Sequence, residues 1–174
     1  MNFMIKKRLY LFVGYPGAGK TTIARLIAEK TGAVHIWADF ERHVMFGTPT
    51  HSAAESRELY GHLNKVAEDL LRQGKSVIYD TNFNYRQDRD VLRGIASRYD
   101  AETVVLWITT ARDLARRRAT EESDGKDTRM WGNMPTADFD RMSDHLQEPT
   151  DEPDVIRIDG TALDKAALLK RLEA

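Results

Sequence analysis

The chain has 174 residues, 41% hydrophobic and 30% charged, which supplies a core, excludes wholesale disorder and, at roughly 100–200 residues per domain, fits one domain better than two. Lys plus Arg number 26 against 27 Asp plus Glu, so no global basic field draws the chain to nucleic acid or an anionic membrane, although a local patch is compatible with that total. The absence of cysteine excludes a disulfide framework, a thiol nucleophile and Cys-ligated zinc, and fits a reducing cytoplasm. At the N-terminus, Lys6, Lys7 and Arg8 precede the apolar run Leu9–Val13. That run is shorter than the roughly 7–15 residues of a signal-peptide core, and no other run nears the ~20 needed to span a bilayer, so a soluble cytoplasmic protein is expected.

Along the chain, Leu9–Val13, Val34–Trp37, Ser76–Tyr79, Thr103–Ile108 and Val155–Ile158 are short apolar runs rich in β-branched and aromatic residues, the signature of buried strands. Helical patterns lie between them: Ile23, Leu26 and Ile27 after the first strand, Leu59, Leu63, Val66 and Leu70 before the third, and Val91, Leu92 and Ile95 before the fourth. Gly32 and Gly74 stand where left-handed C-caps are expected. Strands alternating with helices predict a three-layer α/β fold around a five-stranded, mostly parallel sheet. Gly47–Ser56, with Pro49 and His51, reads as a polar loop ahead of a helix. Glu121–Pro135 reads as a long polar excursion of the kind that forms lids or stays disordered.

Between the first strand and first helix, Gly14-Tyr15-Pro16-Gly17-Ala18-Gly19-Lys20-Thr21 fits G-x-x-x-x-G-K-[ST] in full. Glycines at this spacing let backbone N–H groups turn inward around a phosphate, and the following helix N-terminus adds partial positive charge. Gly14, Pro16, Gly17, Ala18 and Gly19 are therefore read as the cradle of a nucleoside triphosphate. Lys20 reaches the β/γ-phosphates, Thr21 offers its hydroxyl to Mg²⁺, and Thr22 lies toward the α-phosphate.

A GTPase would need N-K-x-D, but Asn64-Lys65-Val66-Ala67 lacks the Asp and falls mid-helix. A motor or remodelling ATPase usually ends an apolar strand on Asp-Glu, whereas the third strand here runs into Asp80-Thr81-Asn82-Phe83-Asn84. After the second strand, Asp39 and Arg42 stand three residues apart, on one face if a helix starts there. A carboxylate within reach of a hydroxyl can orient it and take its proton during phosphoryl transfer. An N-cap Asp followed by a solvent-facing Arg would give the same spacing.

Taken together, the loop, D-x-x-R at Asp39 and Arg42, and D-T-N-x-N at Asp80–Asn84 resemble the small P-loop kinases, above all the kinase domain of phage polynucleotide kinase. Gluconate kinase and zeta-toxin-like kinases are more distant relatives in the same resemblance, which runs from Gly14 to about Pro149. It implies a P-loop NTPase fold with a helical lid over about residues 112–148 of a single kinase domain spanning 1–174. It implies a kinase moving the γ-phosphoryl of Mg²⁺-ATP to a hydroxyl, with Lys20, Asp39, Arg42 and Arg117 catalytic and Arg116 on the nucleotide. Asp39, Arg42, Asp80 and Asn82 would contact the acceptor, and Thr21 and Asp80 the metal. Asp80–Asn84 also reads as a turn capping a helix near Arg86, and Arg86 and Arg89 are weaker candidates for substrate contact.

In those kinases, arginines at the place of Arg116, Arg117 and Arg118 swing over the triphosphate as the lid closes, whereas a basic cluster at a helix C-terminus is also favoured by the macrodipole. Glu121 stands where the phage pattern has a further lid arginine, and the next is Arg129. By the same resemblance Asp159-Gly160-Thr161 lies beside the adenine, while Thr161 also reads as a helix N-cap. Trp37 and Trp107 read as core, Trp131 as a lid residue able to touch ligand, and the five histidines as scattered packing or surface residues. The acceptor stays open between a nucleic-acid 5′-hydroxyl and a small metabolite, the latter favoured by net charge and the acidic stretch at Glu121–Asp124. An ATP-binding switch protein with slow or no hydrolysis is the alternative from another class.

Overall fold

β1 (Arg8–Val13) is the centre of the molecule, and Leu9, Leu11, Phe12 and Val13 have no exposed surface, as an unbroken apolar run buried on both faces requires. The computed structural model describes residues 6–121, 130 and 132–173. From β1 the chain passes through α1 (Lys20–Thr31), β2 (Val34–Trp37), α2 (Ala38–Phe46), α3 (Ala53–Arg72) and β3 (Val77–Asp80). It continues through α4 (Arg86–Arg98), β4 (Glu102–Ile108), α5 (Arg112–Thr120), α6 (Thr136–Asp144), β5 (Val155–Ile158) and α7 (Lys165–Glu173). The five strands lie in the order β2-β3-β1-β4-β5. Each adjacent pair is parallel, so the sheet is wholly rather than mostly parallel.

Alternation along β1 divides the core. Leu9, Leu11 and Val13 face α3 and α4 through Leu59, Leu63, Leu71, Leu92 and Ile95. Tyr10 and Phe12 face α1 and α7 through Ile23, Ile27, Leu168 and Leu172. The result is the expected three-layer sandwich. Gly32 caps α1 in the left-handed conformation at φ 71°, its N–H donating to the Ala28 carbonyl. Ser52 caps α3, its hydroxyl accepting from the Glu55 N–H at 3.2 Å.

Three cap expectations are corrected. Asp39 is not an N-cap: Trp37 holds that position and Asp39 lies inside the first turn of α2. Thr161 does not cap α7, because the helix begins later and Asp164 accepts from the Ala167 N–H at 2.9 Å; the Thr161 hydroxyl instead accepts from the Ala111 N–H at 3.1 Å. Nor does an Asn or Asp side chain cap α4, whose N-cap position is Tyr85. The tryptophans on β2 and β4 are half-buried rather than fully core: Trp37 stacks on Phe40 beneath Arg25, and Trp107 lies beneath Arg157. Arg129 and Trp131 lie outside the described residues.

Candidate active site

The phosphate loop, Asp39, Asp80–Asn84 and Asp159–Thr161 follow the carboxyl ends of β1, β2, β3 and β5, where parallel α/β sheets bind ligands. Gly17 and Gly19 turn the loop after β1 with φ of 76° and 105°, in the region that favours glycine. At Gly17 a Cβ would come 2.3 Å from the Ala115 carbonyl oxygen, so only glycine lets α5 rest directly on the loop. α1 has no side-chain cap and no acidic residue in its first turn, leaving its N-terminal N–H groups and dipole to an anion.

The loop is clamped from two sides by buried groups that the motif does not contain. Asn84 Oδ1 accepts the Gly14 N–H at 3.2 Å, and the Thr110 hydroxyl donates to the Ala18 carbonyl at 2.8 Å. Gly160 packs behind this clamp so closely that a Cβ would lie 2.0 Å from Thr110 Oγ1 and 2.8 Å from the Ala18 oxygen. The loop after β5 is thereby seated against the phosphate loop.

The Lys20 ammonium donates to the Gly14 carbonyl at 3.0 Å and the Tyr15 carbonyl at 2.6 Å. Burial pulls its pKa down to about 8, against the opposing pull of the Asp80 and Asp39 carboxylates. The lysine therefore lies in the electrostatic reach of both candidate acceptor-side acids. Asp39 is an exposed residue near the start of α2, yet the protein crowded around its carboxyl raises it above the ordinary carboxylate range. The like charge of Asp80 adds to that rise, and Arg42, His51 and Lys20 oppose it.

Asp80, 4% exposed at the end of β3, is held by His35, whose Nε2 lies 3.0 Å from Asp80 Oδ2. The histidines are thus not all scattered packing residues, since the parallel pairing of β2 with β3 brings this one to the site. The Thr81 hydroxyl pairs with the Tyr60 hydroxyl at 3.1 Å. Asn82 Oδ1 is buried and has no hydrogen-bond partner among the described residues, which leaves it an acceptor to offer a ligand.

Arg42 does not face the cleft as a free cation. It is 5% exposed, donates to Glu55 at 2.5 Å and to Ser56 Oγ at 3.3 Å, and lies over the Tyr60 ring. Arg89 is also removed from the substrate candidates. It is fully buried, ion-paired with Glu152, and donates to the carbonyls of Phe83 at 2.8 Å and Gln147 at 3.2 Å. Arg86 is exposed and lies 3.7 Å from Asp90.

Arg116 and Arg117 are exposed on α5, with Arg116 4.0 Å from Asp140, while Arg118 reaches the Gly160 carbonyl at 3.4 Å. α5 packs on α6 through Ala115, Ala119 and Phe139, and Tyr15 of the phosphate loop joins that cluster. A cavity of about 580 Å³ lined by Thr109, Ala111, Asp159 and Thr161 opens beside Arg157 at the end of the sheet.

The donor set bears on Mg²⁺. Among the described residues no group of three or more His, Cys, Asp or Glu side chains could hold a metal. Thr21, at the start of α1, and Asp80 provide one hydroxyl and one carboxylate, a set suited to Mg²⁺ that keeps waters and arrives with substrate phosphates.

A strand, a glycine loop clamped on both sides and a helix N-terminus, set in a parallel sheet of this order, define a P-loop α/β protein of the small-kinase fold. The family model described as an AAA domain matches residues 9–149, and the chain belongs to that family. No curated protein matches the sequence. A gluconokinase from Sinorhizobium meliloti superposes with a TM-score of 0.64 at 18% identity, over 95% of this chain and 87% of its own. The APS kinase CysC of Mycobacterium tuberculosis, solved with AMPPNP and APS, gives 0.66 at 20% identity over 97% and 99%. A chain of the Pnkp1/Rnl/Hen1 RNA repair complex gives 0.67 at 21% identity, over 81% of this chain and 44% of its own. These likenesses are of fold. Among the described residues no helix is long and apolar enough to cross a membrane.

Proposed function

We propose that the protein is an ATP-dependent kinase that transfers the γ-phosphoryl group to a hydroxyl acceptor, as one kinase domain acting in the cytoplasm. The observation that carries this is the meeting of two halves at Lys20: a clamped phosphate loop on one side and the carboxylates of Asp39 and Asp80, both in its electrostatic reach, on the other. A protein that only bound nucleotide would use Asp80 for its metal but would have no use for Asp39 as a second carboxylate within reach of the same lysine.

In this reading the N–H groups of Gly17, Gly19 and Lys20 and the Lys20 ammonium hold the β- and γ-phosphates, with Thr22 toward the α-phosphate. Thr21 and Asp80 would hold Mg²⁺, which when bound supplies charge neutralisation on the phosphate oxygens. Asp39 orients the acceptor hydroxyl and takes its proton as the acceptor oxygen bonds to the γ-phosphorus and the bond from that phosphorus to the bridging oxygen breaks, releasing ADP. Asn82 offers its unpartnered oxygen to the acceptor, Arg116 and Arg117 meet the developing charge from the lid, and Asp159–Thr161 line the base. Arg42 acts from behind, opposing the rise of the Asp39 pKa.

Transfer of label from γ-labelled ATP to a panel of sugars, nucleosides, antibiotics and 5′-hydroxyl oligonucleotides tests this, with Lys20→Ala as blank. Label on an acceptor, absent from the blank, is the expected result. Tight ATP binding with every acceptor unlabelled and nucleotide-dependent capture of a partner would replace the kinase by a switch protein.

A further inference from the structure

The acceptor half of the cleft contains an arginine whose charge is already spent. α2 contributes one arginine, Arg42, and the pair it makes with Glu55 is buried, each side chain 7% exposed. Glu55 is itself held with no freedom to yield. Oε1 accepts from Arg42 at 2.5 Å and from the His51 N–H at 3.2 Å, and Oε2 accepts from the Thr50 N–H at 2.6 Å and the Thr50 hydroxyl at 2.9 Å. It stands in the first turn of α3, its own N–H bonded to the Ser52 cap. Burial works to raise this carboxyl, but the bonds from Thr50, Arg42 and His51 outweigh it and hold the pKa down at about 2, so the pair stays ionised.

The remaining charged groups that act on Asp39 are Asp80, His51 and Lys20. Among the described residues a phosphate on the acceptor would therefore meet two carboxylates, the His51 imidazole and a lysine serving the nucleotide, unless it displaced Glu55 from Arg42 and left that carboxylate buried without its cation. We infer that the acceptor is an uncharged hydroxyl compound, a sugar, polyol or nucleoside with no phosphate beside the reacting hydroxyl, and that Glu55 sets this selectivity by occupying Arg42. The inference rests on the kinase reading of the site and deepens it. It divides the two acceptor classes that the D-x-x-R spacing leaves open: a strand end or nucleotide carrying a phosphate next to the ribose is rejected. Asn82 Oδ1, a neutral acceptor atom buried at the end of β3, suits a hydroxyl donor on such a compound.

The test compares each acceptor with a phosphate monoester that leaves the primary hydroxyl free, adenosine with adenosine 3′-monophosphate and glucose with glucose 1-phosphate, as substrates for label transfer. Independently of turnover, adenosine 3′-monophosphate is titrated into protein whose phosphate loop is filled with a non-hydrolysable ATP analogue. In the wild type the unphosphorylated member of any pair that reacts is expected to have the higher kcat/KM by roughly tenfold or more, and the titration to find no second phosphate site. Glu55→Gln, which frees the Arg42 charge, is expected to shift that ratio by about tenfold toward the monoester and to create the second site. The Arg42→Gln/Glu55→Gln double variant is expected to abolish it again. Preference of the wild type for a monoester, or wild-type binding of the 3′-monophosphate that Arg42→Gln removes, overturns the inference even if Glu55→Gln fails to fold. No transfer to any acceptor, with the analogue bound, sinks the kinase reading alone, and the titration still decides the phosphate site.

Discussion

His35 Nε2 stands 3.0 Å from Asp80 Oδ2, joining the edge strand of the sheet to the carboxylate that faces Lys20. The contact restricts the rotation of a nearly buried carboxylate. His35 touches neither nucleotide nor acceptor in the proposed site, so it acts as a positioning residue. His35→Ala is expected to lower kcat by about tenfold while ATP affinity stays within about twofold, because misplacing a group costs the transition state more than the ground state. His35→Gln, which can still donate to the carboxylate, should recover most of the loss. Steady-state kinetics on both variants, with ATP affinity from calorimetry, separates this from a general loss of structure.

Lys20 gives two pH dependences of opposite sign. Its native pKa of about 8 lies below the ordinary lysine value of 10.5, so as pH rises through about 8 the native loop loses the ammonium that phosphates need. Bound triphosphate favours that ammonium, so ATP affinity should fall above about pH 8 with a growing proton uptake on binding. Stability of the ligand-free protein runs the other way. Between the native and unfolded pKa values the unfolded chain binds more protons, so this residue makes the fold more stable as pH rises across that window. Calorimetry in buffers of different ionisation heat, and urea unfolding across the same pH range, measure the two. Lys20→Arg should flatten both.

Asp39 must be ionised to take a proton, and its carboxyl is raised first by desolvation from the protein crowded around it and then by Asp80. The acid limb of kcat/KM should therefore fall at a higher pH than an ordinary aspartate would give. Asp80→Asn removes the like charge and lowers the Asp39 pKa, so whatever activity remains should show its acid limb displaced to lower pH. Asp39→Asn should bind ATP and transfer nothing. An acid limb unmoved in Asp80→Asn would mean that the two carboxylates do not share the site.

The parts of the molecule that could be read along the chain are those whose causes are local. β1 and β3 are buried on both faces, so their apolar runs are continuous, and the phosphate loop is one contiguous stretch whose glycine and lysine spacing follows from its ligand. The misread residues all depend on a partner far along the chain or on the next element. Three-residue spacing puts Asp39 and Arg42 on one helix face, but what Arg42 touches is decided by Glu55, on α3, thirteen residues on. Ser52-Ala53-Ala54-Glu55 has the form of a capping box and was the one available sign that a glutamate is held near that turn. His35 has no periodic signature, and its role follows only from which strands pair. A helix arginine is ordinarily exposed, and nothing near Arg89 announces a glutamate 63 residues away.

Arg89 is the place where the fold most depends on a charge. Its guanidinium ties α4 to the carbonyls of Phe83 and Gln147 and to Glu152, and Arg93 shares Glu152 while also bonding Asp154 at 2.7 Å. The network joins the end of the Asp80–Asn84 segment to the chain entering β5, and so supports Asn84 under the phosphate loop. Arg89→Met leaves Glu152 with a buried charge and one fewer partner, and is expected to cost roughly 3–5 kcal/mol. In Arg89→Met/Glu152→Met the uncompensated charge is gone, and most of that loss should return. The pH dependence identifies the cause. Burial works to raise the Glu152 carboxyl, but the bonds from Arg89 and Arg93 hold it below the ordinary glutamate range. Its contribution in the wild type is therefore present above that range and is lost as pH falls through the depressed native value. The gap in unfolding free energy between wild type and Arg89→Met should consequently narrow on acidification, whereas a loss due to packing alone would leave the gap constant.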